Sequence, residues 1–493
     1  AEHLRITDET VGSTLLLGRS GTGKTTIALH RLFEHRNQCC LFVTANTQLV
    51  DGVHDSFRAM SLDDSILPRR RPTDLKNLPP SPTFLTLQEF LVAVDGTLPV
   101  PFLPRKPGGT QLLNPGSMRD GRLGDSGAGA QSGLSKLDDI YDFSSSSTDG
   151  LAAAEEIGNE GGRAPAARGG KAVGGKGASV PTRMVDYTAF AKELWPKMMQ
   201  KTQWTKEGYD PSSVFSEIFS QIKGSPGLLG SSSARQSKSL TKDEYEALGR
   251  KQAANFEAGS ASSTASNRDM FGTRADVYVL YEKYEDVKKE GSWFDLPDML
   301  WHVNAQIDSC AGGWMGSDVL SIFVDEVQDM NKLELQLLLR VCKDKNSCFM
   351  SGDSCQTIAK GVQYRFSDLT SFFWEFAEQD KSVVVPPLSQ LRTNYRTHQG
   401  VLGAANTAVD LMLEYFPSTM DKLEPERGFF RGPEPVLLLE PIEQVGLVLS
   451  SGSASSNVEF GAQQVVIVRS EQAAAQLKAV TSSNGVKPFA DVQ

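Results

Sequence analysis

One stretch limits what this chain can fold into more than any other: Gly18-Arg19-Ser20-Gly21-Thr22-Gly23-Lys24-Thr25. It fits G-x-x-x-x-G-K-[ST], a loop whose backbone N–H groups can cradle phosphates. Its surroundings suit it. Ser13-Thr14-Leu15-Leu16-Leu17 reads as a short buried strand, Thr26 to His35 as a helix, and Cys39-Cys40-Leu41-Phe42-Val43 as a second strand. Strand, glycine-rich turn, helix and strand make one βαβ unit. Gly21 and Gly23 can take backbone angles that other residues avoid, so several N–H groups can face one concavity. The helix that follows adds its N-terminal dipole. Lys24 supplies a point charge for the β- and γ-phosphates, and Thr25 a hydroxyl for Mg²⁺. The expected ligands are therefore ATP and Mg²⁺, with Gly18, Arg19, Ser20, Gly21, Thr22, Gly23, Lys24 and Thr25 as the binding residues.

Three later strand ends complete the pattern. Val319-Leu320-Ser321-Ile322-Phe323-Val324 reads as a buried strand ending in Asp325-Glu326, a Walker B arrangement. A carboxylate at a strand tip can hold Mg²⁺, and its neighbour can orient and deprotonate the attacking water. Two adjacent acids at such a point are costly unless a cation sits there. Ser347 to Ser351 is the next strand, leading into Gly352-Asp353-Ser354-Cys355-Gln356, where Gln356 is placed to sense a terminal phosphate. Such tips converge at the carboxyl edge of a parallel sheet. Last, Leu388 to Thr397 carries Arg396, a guanidinium expected to reach the γ-phosphate across a domain cleft.

The length of 493 residues allows two to four domains. A formal net charge of -10 argues against coating nucleic acid by bulk charge but leaves room for a local basic channel. Six cysteines are too few for a disulfide framework and lack zinc-site spacing, so reduced, mostly buried thiols of an intracellular protein are expected. No apolar run approaches the roughly 18 residues needed to span a bilayer, so no membrane partner is expected. The first residues carry no signal-peptide core and no initiator Met, and the last complete no recognisable element, so a fragment of a longer chain is the expectation.

From about Pro101 to Pro181 the composition collapses into Gly, Ser, Ala and Pro, which cannot bury enough apolar surface to order itself. Helical spacing returns at Tyr187 to Trp195, at Val214 to Ile222, at Lys242 to Phe256 and at Arg274 to Lys289. Their aromatics read as core packing. Gln464 to Arg469 reads as a further buried strand.

The motifs GRSGTGKT, VDEVQD, GDSCQ and LRTNYRTHQGVLGAAN together resemble superfamily-one DNA helicases of the UvrD/Rep type. Phe294 to Leu300 is similar to the acidic segment that precedes Walker B in that family. Other stretches, among them SPTFLTLQEFLVAVDGTLP and KGVQYRFSDL, look closest to members whose helicase-like region lies in a chain with TPR and ankyrin repeats.

The resemblance implies an α/β fold: a P-loop NTPase with a RecA-like parallel sheet, a helical, partly disordered insertion and an incomplete second RecA-like domain. Residues 1–100 and 285–380 would form the first domain. Residues 101–284 would be the insertion, with linkers near 103–181, 224–240 and 258–268, and residues 381–493 the start of the second domain. The implied activity is ATP hydrolysis coupled to movement on single-stranded nucleic acid. DNA is favoured because Asp325-Glu326-Val327-Gln328-Asp329 fits the DNA branch better than the acid-Ala-Gln pattern of the RNA branch. Asp325 would hold the metal with Thr25, and Glu326, Gln356 and Arg396 would be catalytic. Thr44, Thr86, and Tyr364 or Phe366 would contact the strand. Flanking repeats outside the chain would offer protein partners. Residues 1–12 do not match the family's adenine-reading segment, and its later motifs do not follow Arg469, so weak Mg-ATP binding without unwinding is expected of these residues alone. A nucleotide switch in a regulatory or scaffold protein is the alternative.

Overall fold

A computed structural model describes residues 12–61, 72–103, 183–200, 209–224, 238–248, 274–310, 313–357, 366–415, 421–435, 466–468 and 471–483. Most of the low-complexity stretch and Tyr364 lie outside the described residues. Two compact units are present: one comprises residues 1–142 and 178–432, the other 143–177 and 433–493.

The first unit is built on a six-stranded parallel sheet of described residues, in the order β3-β2-β6-β7-β1-β8. The strands are β1 (Thr14–Gly18), β2 (Cys40–Thr44), β3 (Pro82–Thr86), β6 (Ser321–Val324), β7 (Cys348–Gly352) and β8 (Leu388–Leu391). Alternate residues serve two cores. Leu15, Leu17, Leu41, Val43, Ile322 and Val324 enter one, and Leu16, Phe42 and Phe323 enter the other. With both faces covered, the strands read as continuous apolar runs, as parallel strands do.

Helices α1 (Lys24–Glu34) and α2 (Thr47–Ser61) cover one face through Ile27, Leu32, Val50, Val53 and Phe57. The other face carries α3 (Leu87–Thr97), α8 (Leu296–Ser309), α9 (Lys332–Val341) and α10 (Phe366–Gln379). Helices α3, α8 and α9 each begin with a capping box: Thr86 with Glu89, Asp295 with Asp298, and Asn331 with Glu334. Each box satisfies two otherwise unpaired backbone donors. The strand expected at Val319 to Val324 is shorter, and Val319 makes only an isolated bridge to Cys342.

The helical insertion has a core of its own, which extends past the boundary expected at residue 284 to Trp293. Helix α4 runs through Tyr187–Ala189, a π turn at Phe190–Leu194, and Trp195–Gln200. Helix α5 is Pro211–Ser216 continuing as a π turn, Glu217–Ile222; α6 covers residues 242–248 and α7 is Arg274–Glu290. The remainder of the helix expected to run to Phe256 lies outside the described residues. At the root of the insertion, β4 (Arg183–Met184) pairs with β5 (Trp293–Phe294). The aromatics are buried against one another, with Phe215 and Phe219 stacked at 4.0 Å between centroids.

A buried ion network joins this insertion to the sheet domain. Lys223 Nζ donates to Asp295 at 2.5 Å, Glu285 at 2.9 Å and Asp298 at 3.0 Å. Lys288 Nζ donates to the same three at 2.7 to 2.9 Å. The Tyr284 hydroxyl donates to Asp295 at 2.8 Å. The two lysines hold the Asp295 carboxyl far below the usual carboxylate range despite its burial.

Two expectations are corrected at the far end of the chain. Strand β8 pairs in parallel with β1, Leu15 opposite Leu388 and Gly18 opposite Leu391, so residues beyond 380 complete the first sheet. The chain then runs through β9 (Thr393–Asn394) and α11 (Gln399–Tyr415) to β10 (Arg427–Gly428), which pairs with β9. In the second unit, the described residues of the strand expected at Gln464 to Arg469 are not in a strand, and Ile467 is 92% exposed. No partner strand among the described residues covers that apolar side chain. The same unit contains helix α12 (Glu471–Ser483).

Candidate functional site

The carboxyl ends of β1, β6 and β7 meet at one edge of the sheet. β7 lies between the other two, so the phosphate loop and both acidic tips share a single rim. At the first tip, Gly21 has φ +85 and Gly23 φ +92, left-handed values that suit glycine. Gly23 caps α1 and brings its N-terminus onto the loop. Lys24 is 5% exposed, and its ammonium donates to the Gly18 carbonyl at 2.8 Å and to that of Arg19 at 3.3 Å.

Thr25 begins the contact between the first and second tips. Its Oγ1 donates to Asp325 Oδ2 at 2.6 Å. The other Asp325 oxygen accepts from Ser351 Oγ at 2.6 Å, so a β7 side chain orients the carboxylate. Asp325 is fully buried. A hydroxyl and a carboxylate side by side are hard oxygen donors of the kind Mg²⁺ takes alongside phosphate oxygens. Among the described residues no cluster of three or more His, Cys, Asp or Glu would hold a metal by itself. The donor set therefore fits an ion that arrives with phosphates.

Glu326 is left-handed at φ 56, a conformation that costs a non-glycine residue of order 1–3 kcal/mol and is concentrated at functional sites. Burial and the neighbouring Asp325 carboxylate push its carboxyl up, against the pull of Lys24. A carboxyl so raised holds a proton more readily than an ordinary glutamate, as suits a group that must accept one. Gln328 Nε2 donates to Glu326 Oε2 at 2.7 Å, and Gln328 Oε1 accepts from the Asp353 N–H at 2.9 Å.

At the third tip Asp353, 1% exposed, links two expected site residues. Its Oδ1 accepts from Arg19 Nη1 at 2.6 Å and its Oδ2 from Gln356 Nε2 at 2.5 Å. Gln356 is thus tied to the phosphate loop through a residue to which its sequence position gave no role. GDSCQ contains Asp353, but only the side-chain register at the strand end reveals the pairing.

Arg396 is found elsewhere than expected. No cleft separates it from the loop; the chain after β8 lies on the loop itself. Arg396 Nη1 donates to Ser20 Oγ at 2.7 Å, Asn394 Nδ2 to the Ser20 carbonyl at 2.7 Å, and the Tyr395 N–H to the Gly21 carbonyl at 2.9 Å. A Cβ on Gly21 would stand 2.6 Å from Arg396 Cβ. Asn394 also donates to Glu426, a buried carboxylate just before β10. Asn394 and Glu426 went unnoticed in the sequence, although LRTNYRT contains the asparagine.

The residues expected to contact a strand do not present their side chains to solvent. Thr44 is fully buried at the end of β2, opposite Thr86 of β3, and its hydroxyl has no hydrogen-bond partner among the described residues. Thr86 is 5% exposed, and its hydroxyl accepts from the Glu89 N–H at 3.1 Å to cap α3. Phe366 is fully buried in the main core, where no base can stack on it.

Comparison with known proteins agrees with this geometry. Residues 184–371 match the UvrD/REP helicase N-terminal domain, a span that includes Walker B and Gln356. The phosphate loop precedes it and is recognised by its own backbone. Over 459 residues, 90% of the chain, the sequence is 30% identical to TPR and ankyrin repeat-containing protein 1 of Homo sapiens and spans 14% of that protein. Over 204 residues, 41% of the chain, it is 22% identical to an ATP-dependent helicase/nuclease of Carboxydothermus hydrogenoformans and spans 17% of that relative's chain. The chain thus covers well under two thirds of either relative. No helix among the described residues is long and apolar enough to cross a membrane. The likeness read from the nucleotide motifs therefore holds at the level of the family, and this chain is similar to the UvrD/REP helicases.

Proposed function

We propose that the chain is the ATP-binding part of an ATP-dependent helicase or translocase acting on single-stranded nucleic acid, with DNA as the favoured strand. The observation that carries the reading is the 2.6 Å hydrogen bond from Thr25 Oγ1 to Asp325 Oδ2 beside a left-handed glycine loop. It joins residues 300 positions apart into one hydroxyl–carboxylate pair at the foot of the phosphate cradle. The family likeness supports a helicase-type, ATP-dependent activity.

In this reading the loop N–H groups and Lys24 bind the phosphates. Lys24 exchanges its carbonyl partners for phosphate oxygens, a charge-assisted gain. Thr25 and Asp325 hold Mg²⁺, which when bound bridges phosphate oxygens and neutralises their charge. Glu326 takes a proton from water oriented at the γ-phosphorus, and Gln356 hydrogen-bonds that water or the terminal phosphate. Arg396 leaves Ser20 to meet charge developing on the γ-phosphoryl oxygens. The decisive measurement is ATP turnover with and without single-stranded DNA, in the wild type and in Glu326→Gln. Strand-stimulated turnover lost in the variant is the expected result; wild-type turnover that ignores DNA and RNA would sink the motor.

One finding favours a second reading. The relative covering 90% of the chain is named for TPR and ankyrin repeats, so nucleotide binding could control protein partners rather than move a strand. A Glu326→Gln protein that keeps its partners while losing turnover would support that switch.

A further inference from the structure

Arg19 occupies a variable position of the phosphate loop, where a cation invites assignment as a phosphate ligand. Its surroundings give it other work. The guanidinium is mostly buried and donates to Asp353, itself 1% exposed. A second buried carboxylate, Glu426, is also close enough to feel Arg19 and Lys24. From Asp353 two hydrogen bonds lead to the hydrolytic side chains: one goes directly to Gln356 and one passes through Gln328 to Glu326. The Gln328 amide accepts with its oxygen and donates with its nitrogen, which fixes its orientation. The backbone is shaped to admit it, since a Cβ on Gly352 would stand 2.5 Å from Gln328 Oε1. An unbroken polar chain thus runs Arg19–Asp353–Gln328–Glu326, with Gln356 as a branch.

We propose that Arg19 is a positioning residue: it keys Gln356 and Glu326 to the phosphate loop through Asp353 and Gln328, and it does not bind phosphate. The inference rests on the nucleotide-hydrolysing reading for the roles of Glu326 and Gln356. Its physical basis is registration. The loop sets where the γ-phosphate sits, and β6 and β7 set where the water-handling groups sit. A misplacement of about 1 Å between them can cost on the order of 10²-fold in rate. A buried guanidinium on the loop, bonded to a carboxylate at a strand end, holds that register more firmly than packing alone.

Two roles for Arg19 predict opposite kinetic splits. A phosphate ligand lost in Arg19→Gln weakens Mg-ADP and Mg-ATP binding. A positioning residue lost there lowers turnover while nucleotide binding stays near wild type. The test uses the 493-residue chain, with single-stranded DNA present. It measures ATP turnover and equilibrium binding of fluorescent Mg-ADP, alone and with aluminium fluoride, whose complex mimics the in-line transfer geometry. For Arg19→Gln, turnover and the preference for the fluoride complex should each fall by about tenfold or more, with Mg-ADP affinity within about threefold. Arg19→Lys, which keeps the charge, should recover part of the loss. If Arg19→Gln fails to fold because Asp353 is left unpaired, Gln328→Leu cuts the same chain without removing a charge and should give the same split. Mg-ADP affinity falling as far as turnover, or turnover and fluoride preference both unchanged, overturns the proposal. Wild type unable to bind Mg-ADP would sink the nucleotide reading together with this one. Wild type that binds and hydrolyses while the variants match it sinks only the role of Arg19. Should wild type bind without hydrolysing, the fluoride preference alone decides.

Discussion

Gly21 is where the phosphate loop and the chain after β8 come closest. Its φ of +85 is unfavourable for a side chain, and a Cβ there would be 2.8 Å from Asn394 Oδ1 as well as crowding Arg396. Gly21→Ala should therefore cost about 1–3 kcal/mol in urea unfolding. It should also loosen the 393–397 segment, which amide exchange of the Tyr395 N–H would register. A loss below the error of the measurement would mean that the loop relaxes freely. This contact also marks the limit of what the residues reveal on their own. The glycines, Lys24, Thr25 and the Asp325-Glu326 pair were legible because each sits at a fixed spacing from a strand or helix. Asp353, Ser351, Asn394 and Glu426 were not, because their roles depend on which strands become neighbours. Sequence spacing carries no record of β7 lying between β1 and β6.

Among the elements, the junction between the insertion and α8 concentrates the most buried charge. Two lysines face three carboxylates, and Lys223 is 1% exposed. Lys223→Met leaves a larger uncompensated negative charge around Asp295, so a loss of about 3–5 kcal/mol is expected in chemical denaturation. The pH dependence has a definite sign. Asp295 is depressed in the folded state, so its contribution is present above an ordinary carboxylate pKa of about 3.9 and disappears as the pH falls below that. Lys223 is raised above its usual value by the same carboxylates, so its contribution is present below about 10.4 and is lost as the pH rises beyond it. Between those limits the network's share of stability should be flat. A wild-type melting temperature that drops in acid more steeply than that of Lys223→Met would fit the network. Parallel curves would assign the acid loss to other groups. The insertion's helices were foreseeable from apolar spacing. Their π turns at Phe190–Leu194 and Glu217–Ile222 were not, because packing of Phe190 and Ile218 into a shared core selects them over regular α-helix.

At the scale of the whole molecule, the division of the chain differs from the one its motifs suggest. The LRTNYRT stretch read as the opening of a second domain, since an arginine that reaches a phosphate is easily imagined on a facing wall. Parallel pairing of β8 with β1 instead makes the first sheet depend on residues far beyond 380. The compact unit that contains the site ends at Gly432. A chain cut after residue 380 exposes the edge of β1, the strand that leads directly into the phosphate loop. It also removes the donors from Asn394, Tyr395 and Arg396 to Ser20 and Gly21. Exposed parallel edges of apolar strands invite aggregation. A chain ending at 380 should therefore be poorly soluble or bind Mg-ADP at least about tenfold more weakly, while one ending at 432 should match the 493-residue chain. Calorimetric titration of the three lengths distinguishes the outcomes. Equal Mg-ADP affinity in the two shorter chains would show that the loop holds its shape without β8, and would return residues 381–432 to a domain of their own.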